Sequence, residues 1–154
     1  MHLCFLRHGH AEKSGVLYNS DQLRPLSAEG RNEIENVGRH LKRMGAQFDM
    51  ILSSPLLRAR QTAEIIAEAC GYQKPPRLEE FLGGRFNSDM MAGEIEALPK
   101  EATLLMVGHA PSLDKLIAYL LSSDDSTKII LQPGGLAWIE TETPTLRNGV
   151  LHWL

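Results

Sequence analysis

Length, composition and charge set the first limits on this protein. The chain has 154 residues, of which 43% are hydrophobic and 23% are charged, and its formal net charge is -3 at pH 7. A chain of this size suits one domain, residues 1–154, that needs neither a disulfide nor a metal to fold. The small negative charge gives no general attraction to nucleic acid, so we expect no nucleic-acid partner.

The first apolar run, Leu3 to Leu6, is too short for a membrane helix or for the core of a secretory signal peptide. Those segments need roughly 18 and roughly 7 to 15 apolar residues respectively. We therefore expect no membrane contact, a cytoplasmic location and reduced thiols at Cys4 and Cys70.

Three continuous apolar runs predict strands that are buried on both faces. They are Leu3 to Leu6, Phe48 to Leu52 and Thr103 to Val107. A run that is apolar throughout, rather than alternating, is typical of a parallel sheet. Each run is followed by a helical pattern, so strand and helix alternate three times and predict an α/β fold.

Each of the three helices carries start or stop signals in its sequence. Serine can cap a helix, proline is favoured at the first helical position, and glycine is favoured just after the end. The predicted signals are Ser27 and Gly45 for the first helix, Ser54, Pro55 and Gly71 for the second, and Pro111 for the third.

The C-terminal part of the chain predicts two short strands, Leu136 to Ile139 and Val150 to Leu154. The turn pair Asn148-Gly149 directly precedes the second of them, and this pair is typical of hairpins. We therefore expect a more antiparallel end to the sheet.

Polar and basic side chains follow each of the three buried strands. Ligands of open α/β sheets bind at this edge, beside the N-termini of helices. A cation in the first turn of a helix, such as Arg58, opposes the helix dipole by roughly 0.3 to 1 kcal/mol, and a bound anion would reverse that penalty. Arginine forks and helix amides both suit phosphate, which is the simplest ligand. The segments are Arg7-His8-Gly9-His10, Ser53-Ser54-Pro55 with Arg58, and Gly108-His109.

A histidine at such a site can react with phosphate as well as bind it. Neutral imidazole is a nucleophile near pH 7, and we expect the neighbouring arginines to lower the pKa of the ring by charge repulsion. Attack on phosphorus would give a phosphohistidine that water then cleaves.

The residues also resemble a known family. LRHGHAE resembles the Arg-His-Gly signature of the histidine phosphatase superfamily, and RPLSAEG, SSPLLRARQTAE and VGHAPSL resemble its later blocks in the same order. The short chain, the Arg24-Pro25-Leu26 segment and the small region between the last two blocks are most similar to SixA-type phosphohistidine phosphatases. The resemblance implies a phosphoglycerate mutase-like fold, a three-layer α/β/α sandwich with a mostly parallel central sheet.

The same resemblance implies the roles of individual residues. His8 would be the nucleophile, and Arg7, Arg58 and His109 would hold the phosphoryl oxygens and stabilise their charge. Gly9 would let the backbone turn close to the phosphate. The family usually needs no metal, and we expect no metal and no cofactor here.

Further positions are assigned by analogy. Ser14 and Arg24 would add contacts to the substrate. An acidic residue between the last two blocks would protonate the leaving group, and Glu80 fits this role better than Glu79. His10 is expected at most at the rim of the site. An alternative reading makes His8 and His10 a metal pair, because an H-x-H spacing can place both rings on one side.

The resemblance also bears on the substrate, because members of the family that act on sugar phosphates or phosphoglycerates carry a longer insertion that folds over the site. The segment from Leu82 to Pro99 leaves room only for a short lid, with one short helix predicted at 89–98. An open site would admit phosphohistidine on a phosphorelay or phosphotransfer domain. The alternatives are a phosphatase of small phosphomonoesters such as sugar phosphates, and a phosphate-binding or phosphohistidine-binding module without turnover. The sequence leaves open the oligomeric state, the physiological partner and the role of the loop 13–23.

Overall fold

The computed structural model describes residues 1–13, 18, 20–83, 90, 93, 98–122, 127–142 and 149–153. The strands are β1 (His2–Arg7), β2 (Met50–Ser53), β3 (Arg77–Leu78), β4 (Thr103–Gly108), β5 (Leu136–Glu140) and β6 (Val150–Trp153). Three α-helices have both ends within the described residues: α1 (Ala28–Arg43), α2 (Leu57–Cys70) and α3 (Ser112–Leu121). Short 3-10 helices span Asp21–Leu23 and Glu80–Gly83.

The strands form one six-stranded sheet in the order β3-β2-β4-β1-β5-β6. The first four strands of this order are mutually parallel. β5 is antiparallel to β1, and β6 is antiparallel to β5, so β5 alone among these six strands runs against the others. The predicted antiparallel end is confirmed, as is the mostly parallel sheet.

Two apolar clusters cover the two faces of the sheet. Leu3 and Phe5 of β1 pack into a cluster with α3. Cys4 and Leu6, which point to the opposite face, pack into a second cluster with α1 and α2. Successive side chains of a strand alternate between faces, so a strand that is buried throughout needs a cover on each side. The three-layer α/β/α arrangement is therefore confirmed.

The predicted start and stop signals of α1 are confirmed. The backbone N–H of Gly30 donates to Ser27 Oγ at 3.1 Å, so Ser27 caps the helix. Gly45 follows the helix with a φ of +74°. Gly71 likewise ends α2 with a φ of +72°, in the left-handed region that glycine tolerates best.

The predicted start of α2 was wrong by two residues. The helix begins at Leu57, after Leu56 as the capping position, rather than at Pro55 after Ser54. The Ser54 hydroxyl accepts a hydrogen bond from Leu56 N–H at 3.2 Å and so belongs to the turn before the helix. α3 also begins one residue later than predicted, with Pro111 at its capping position.

Some predictions fall outside the described residues. Ser14 lies outside them, as does the helix predicted at 89–98 apart from residues 90, 93 and 98. Within the part of the chain that the structure describes, no helix is long and apolar enough to cross a membrane.

Candidate functional site

The ends of β1 and β4 bring two imidazoles together. His8 follows β1 and His109 follows β4, and their ring centroids are 4.8 Å apart. Arg58, in the first turn of α2, places its Nε 3.3 Å from Nε2 of His8. Arg7, the last residue of β1, is close enough for its charge to act on both imidazoles. We call these four residues the basic cluster: Arg7, His8, Arg58 and His109. The structure thus brings together the four residues that the sequence placed at strand ends.

The tautomer of His8 follows from its hydrogen bonds. Nδ1 of His8 lies 2.8 Å from the backbone carbonyl oxygen of Gly9. Because a carbonyl oxygen can only accept, Nδ1 carries the proton and donates it. The lone pair of the neutral ring is therefore on Nε2, which faces Nε–H of Arg58.

Both imidazoles of the basic cluster are held in the neutral form. Burial lowers the pKa of His8 to about 4, and the charges of Arg58 and Arg7 act in the same direction, against the hydrogen bond to Gly9. Burial also lowers the pKa of His109 to about 3, with His8 and Arg58 as further causes. The expected lowering is confirmed, but burial rather than arginine repulsion is its largest cause.

These two pKa values predict a pH-dependent stability. The unfolded chain binds protons on both histidines below pH 6.5, whereas the native chain binds them only near pH 4 and 3. The free energy of unfolding is therefore expected to fall as the pH drops from 6.5 to 4, by about 1.4 kcal/mol per pH unit for each histidine. Urea titrations across this range measure the slope, and His8→Ala is expected to reduce it. An unfolding free energy that stays constant from pH 6.5 to 4 would contradict the assignment.

The guanidinium of Arg7 has one nitrogen bonded to the backbone and another without a partner among the described residues. Its NH1 donates to the backbone carbonyl of Leu131 at 2.7 Å, which fixes the guanidinium beside β1. Its Nε is buried and has no hydrogen-bond partner within the described residues. Buried donors are nearly always paired in native proteins, and the contact of Arg7 with a phosphoryl oxygen stays a prediction.

Arg58 is anchored by a residue that the sequence analysis did not single out, Asp21. The arginine side chain is buried, and its NH2 group donates to Oδ2 of Asp21 at 3.0 Å. The other carboxylate oxygen, Oδ1, accepts from Nε of Arg24 at 2.9 Å. Asp21 thus bridges two arginines. Its spacing of three residues from Arg24 within SDQLRPL was the available signal, because several arginines around one site require a compensating charge.

Arg24 and Gly9, which the sequence predicted near the substrate, contact other parts of the protein in the structure. Arg24 is tied to Asp21, and its NH1 donates to the backbone carbonyl of Glu12 at 3.0 Å. A Cβ on Gly9 would lie 2.7 Å from Ile34 and 2.9 Å from the carbonyl oxygen of Gly30. The close approach of α1 therefore explains this glycine, whereas its contact with phosphate stays a prediction.

The two candidate acids lie outside the basic cluster. Glu79 pairs with Arg77 at 2.7 Å, and Glu80 is exposed at the start of its 3-10 helix. Within the described residues, no hydrogen bond joins either carboxylate to His8 or Arg58. The role of Glu80 as an acid stays a prediction.

The ring of His10 has a different partner from the ring of His8. Its Nδ1 lies 2.6 Å from Oε2 of Glu33 on α1, at an exposed position. No three His, Cys, Asp or Glu side chains of the described ranges gather where they could hold a metal ion. The geometry of these residues favours an anion at the basic cluster.

Comparison with known proteins identifies the family. A sequence model described as the histidine phosphatase superfamily (branch 1) matches residues 3–101. The chain belongs to the histidine phosphatase superfamily. Over 117 residues it is 38% identical to an uncharacterised protein of Picosynechococcus sp., covering 73% of this chain and 68% of that protein. Over 155 residues it is 28% identical to the phosphohistidine phosphatase SixA of Escherichia coli (strain K12), covering 99% of this chain and 92% of SixA.

A solved structure supports the same placement. The protein histidine phosphatase SixA complexed with tungstate superposes with a TM-score of 0.85 at 25% identity, covering 99% of this chain and 95% of that one. The predicted phosphoglycerate mutase-like fold and the resemblance to SixA are both confirmed. Superfamily membership and this similarity support a phosphatase, a hydrolase that acts on phosphoryl groups.

Proposed function

We propose that this protein removes the phosphoryl group from phosphohistidine on another protein, such as a phosphorelay or phosphotransfer domain, through a covalent intermediate on His8. The observation that carries the proposal is the state of His8. Its Nδ1–H is held by the Gly9 carbonyl, its Nε2 lone pair faces Arg58, and burial keeps the ring neutral. A neutral, oriented imidazole between fixed cations suits nucleophilic attack on a phosphoryl group.

The first step transfers the phosphoryl group to the enzyme. Nε2 of His8 forms a bond to phosphorus while the bond from phosphorus to the substrate's imidazole nitrogen breaks, and its electron pair stays on that nitrogen. The substrate ring carries a proton from solvent on its other nitrogen, so it leaves as neutral imidazole. The ring of His8 gains positive charge, which the carbonyl of Gly9 stabilises through Nδ1–H. Arg7 and Arg58 balance the charge of the phosphoryl oxygens, and the neutral ring of His109 adds a hydrogen-bonding group beside them.

The second step releases phosphate. A water molecule attacks phosphorus, the bond to Nε2 of His8 breaks, and the electron pair returns to that nitrogen. The water proton leaves with phosphate or with solvent, so the free enzyme is regenerated with His8 neutral. The low pKa of His8 suits this return, because the ring is ready as a nucleophile at neutral pH.

The leaving group favours phosphohistidine over a phosphomonoester. A free histidine side chain has a pKa of about 6.5, so imidazole leaves with modest proton assistance, whereas an alkoxide needs a well-placed acid. In the described part of the site, neither Glu79 nor Glu80 bonds to the basic cluster. The similarity to SixA along 99% of the chain supports the same substrate class.

The test is the ratio of kcat/KM for a histidine-phosphorylated phosphotransfer domain to that for a panel of small phosphomonoesters. We expect a ratio well above one, with both activities abolished in His8→Ala. A ratio well below one would overturn the proposal and favour a small-molecule phosphatase. Absence of turnover on every substrate, together with retained phosphate binding, would favour a binding module.

The second candidate, a phosphatase of small phosphomonoesters, depends on Glu80. The residue stands at the start of the 3-10 helix that follows β3, and it is exposed to solvent. We expect Glu80→Gln to lower kcat on phosphohistidine by less than about threefold, and on a phosphomonoester by about tenfold or more. Steady-state kinetics on both substrates measures the difference. Equal, severe losses on both would contradict a substrate-dependent acid.

A further inference from the structure

We infer that Asp21 is a positioning residue, which fixes the guanidinium of Arg58 against His8 and the phosphoryl group. The inference deepens the proposed function, because it concerns the same site and the same reaction. Asp21 lies 37 positions before Arg58 in the chain, on the 3-10 helix Asp21–Leu23. Its hydrogen bonds to the basic cluster are made to Arg58.

Asp21 holds both terminal nitrogens of Arg58. NH1 donates to the backbone carbonyl of Asp21 at 2.9 Å, and NH2 donates to its Oδ2 at 3.0 Å. The third nitrogen, Nε, is 3.3 Å from Nε2 of His8. A guanidinium is planar and rigid, so fixing two of its nitrogens sets the direction of the third. The orientation of Arg58 toward His8 therefore depends on Asp21.

The charge of Asp21 is needed as well as its shape. Arg24 lies on its other oxygen at 2.9 Å, and the charge of Arg24 acts to lower the pKa of Arg58. Without the carboxylate, the two guanidinium groups would face each other uncompensated. Burial acts to raise the pKa of Asp21, but the two arginines hold it below its usual value, so the group stays ionised at neutral pH.

Because Asp21 is ionised, it can position Arg58 but cannot act as a general acid. A carboxyl group whose pKa lies below its usual value carries no proton to give to a leaving group near pH 7. The side chain of Asp21 is also 57% exposed, so solvent on that side screens the contribution of its ion pair with Arg58 to folding stability. Its two bonds to a buried arginine are therefore better explained by the geometry of the site than by stability.

The test compares Asp21→Asn with a matched control, Glu64→Gln. Glu64 pairs with Arg60 at 3.4 Å on the exposed side of α2, so each variant removes one carboxylate charge from an arginine partner. Three properties are measured: kcat and KM on whichever phosphorylated substrate the wild-type enzyme hydrolyses best, the affinity for inorganic phosphate by calorimetry, and the exchange rate of the Nε proton of Arg58 by NMR.

We expect Asp21→Asn to lower kcat by roughly tenfold to hundredfold. Inorganic phosphate should bind at least as tightly as before, because a negative charge has been removed beside the arginine and binding tolerates several poses. The Nε proton of Arg58, now less fixed, should exchange at least tenfold faster. Glu64→Gln should leave all three within about twofold of wild type.

Three results would overturn the inference: an unchanged kcat, an unchanged exchange rate, or a loss of phosphate affinity in proportion to kcat, which would indicate a site that is merely damaged. These outcomes are distinguishable from failure of the proposed function. The choice of substrate tests phosphohistidine specificity, whereas proton exchange and phosphate affinity report on Asp21 whatever the substrate is.

Discussion

Replacing His8 with alanine is expected to lower kcat by roughly 10⁴-fold or more, as when other enzymes lose a covalent nucleophile. Nε2 of His8 is the unprotonated ring nitrogen, and it faces Arg58. No other imidazole of the described residues bonds both to a backbone carbonyl and to this arginine. Single-turnover assays with a phosphorylated protein domain measure the loss. The wild-type enzyme should also form an acid-labile phosphoryl adduct, which the variant lacks.

His10→Ala is the matched control for this prediction. It removes an imidazole two residues away that is exposed and paired with Glu33. We expect its kcat to stay within about threefold of wild type, because the ring pairs with Glu33 at an exposed position. A covalent adduct that persisted in His8→Ala, or a severe loss in His10→Ala, would reverse the assignment.

Replacing Arg58 with alanine is expected to lower kcat by about 10²- to 10³-fold, the cost of removing one preorganised donor from a transition state. Arg58 is 6% exposed, and its guanidinium points one nitrogen at His8 while Asp21 holds the other two. Lysine is not expected to restore activity, because its ammonium group cannot offer donors in a rigid plane. Thermal unfolding must show that each variant is folded before the kinetics are compared.

Arg60→Ala provides the control on the same helix. Arg60 is exposed and pairs with Glu64 four residues later, away from His8. The change should alter kcat by less than about twofold. If Arg58→Ala and Arg60→Ala were equally active, the proposed role of Arg58 would be wrong.

The sequence alone was sufficient for the three buried strands, for both ends of α1 and for the end of α2. Continuous apolar runs predicted β1, β2 and β4, because burial on both faces leaves no alternation along a strand. The signals at Ser27, Gly45 and Gly71 predicted where two helices begin or end, because capping depends on a few neighbouring residues. Since parallel strands end at one edge of a sheet, the sequence was also sufficient to place His8 and His109 side by side.

Only the tertiary structure decided the relations that depend on distant parts of the chain. The helix after β2 begins at Leu57 because the Ser54 hydroxyl is engaged in the preceding turn and bonds to His109, 55 residues later. The bridge from Asp21 to Arg58 and the burial that lowers the pKa of His8 have no signature in local periodicity. Local patterns report which face of an element is apolar, whereas the partners of a charged side chain are set by how the elements pack.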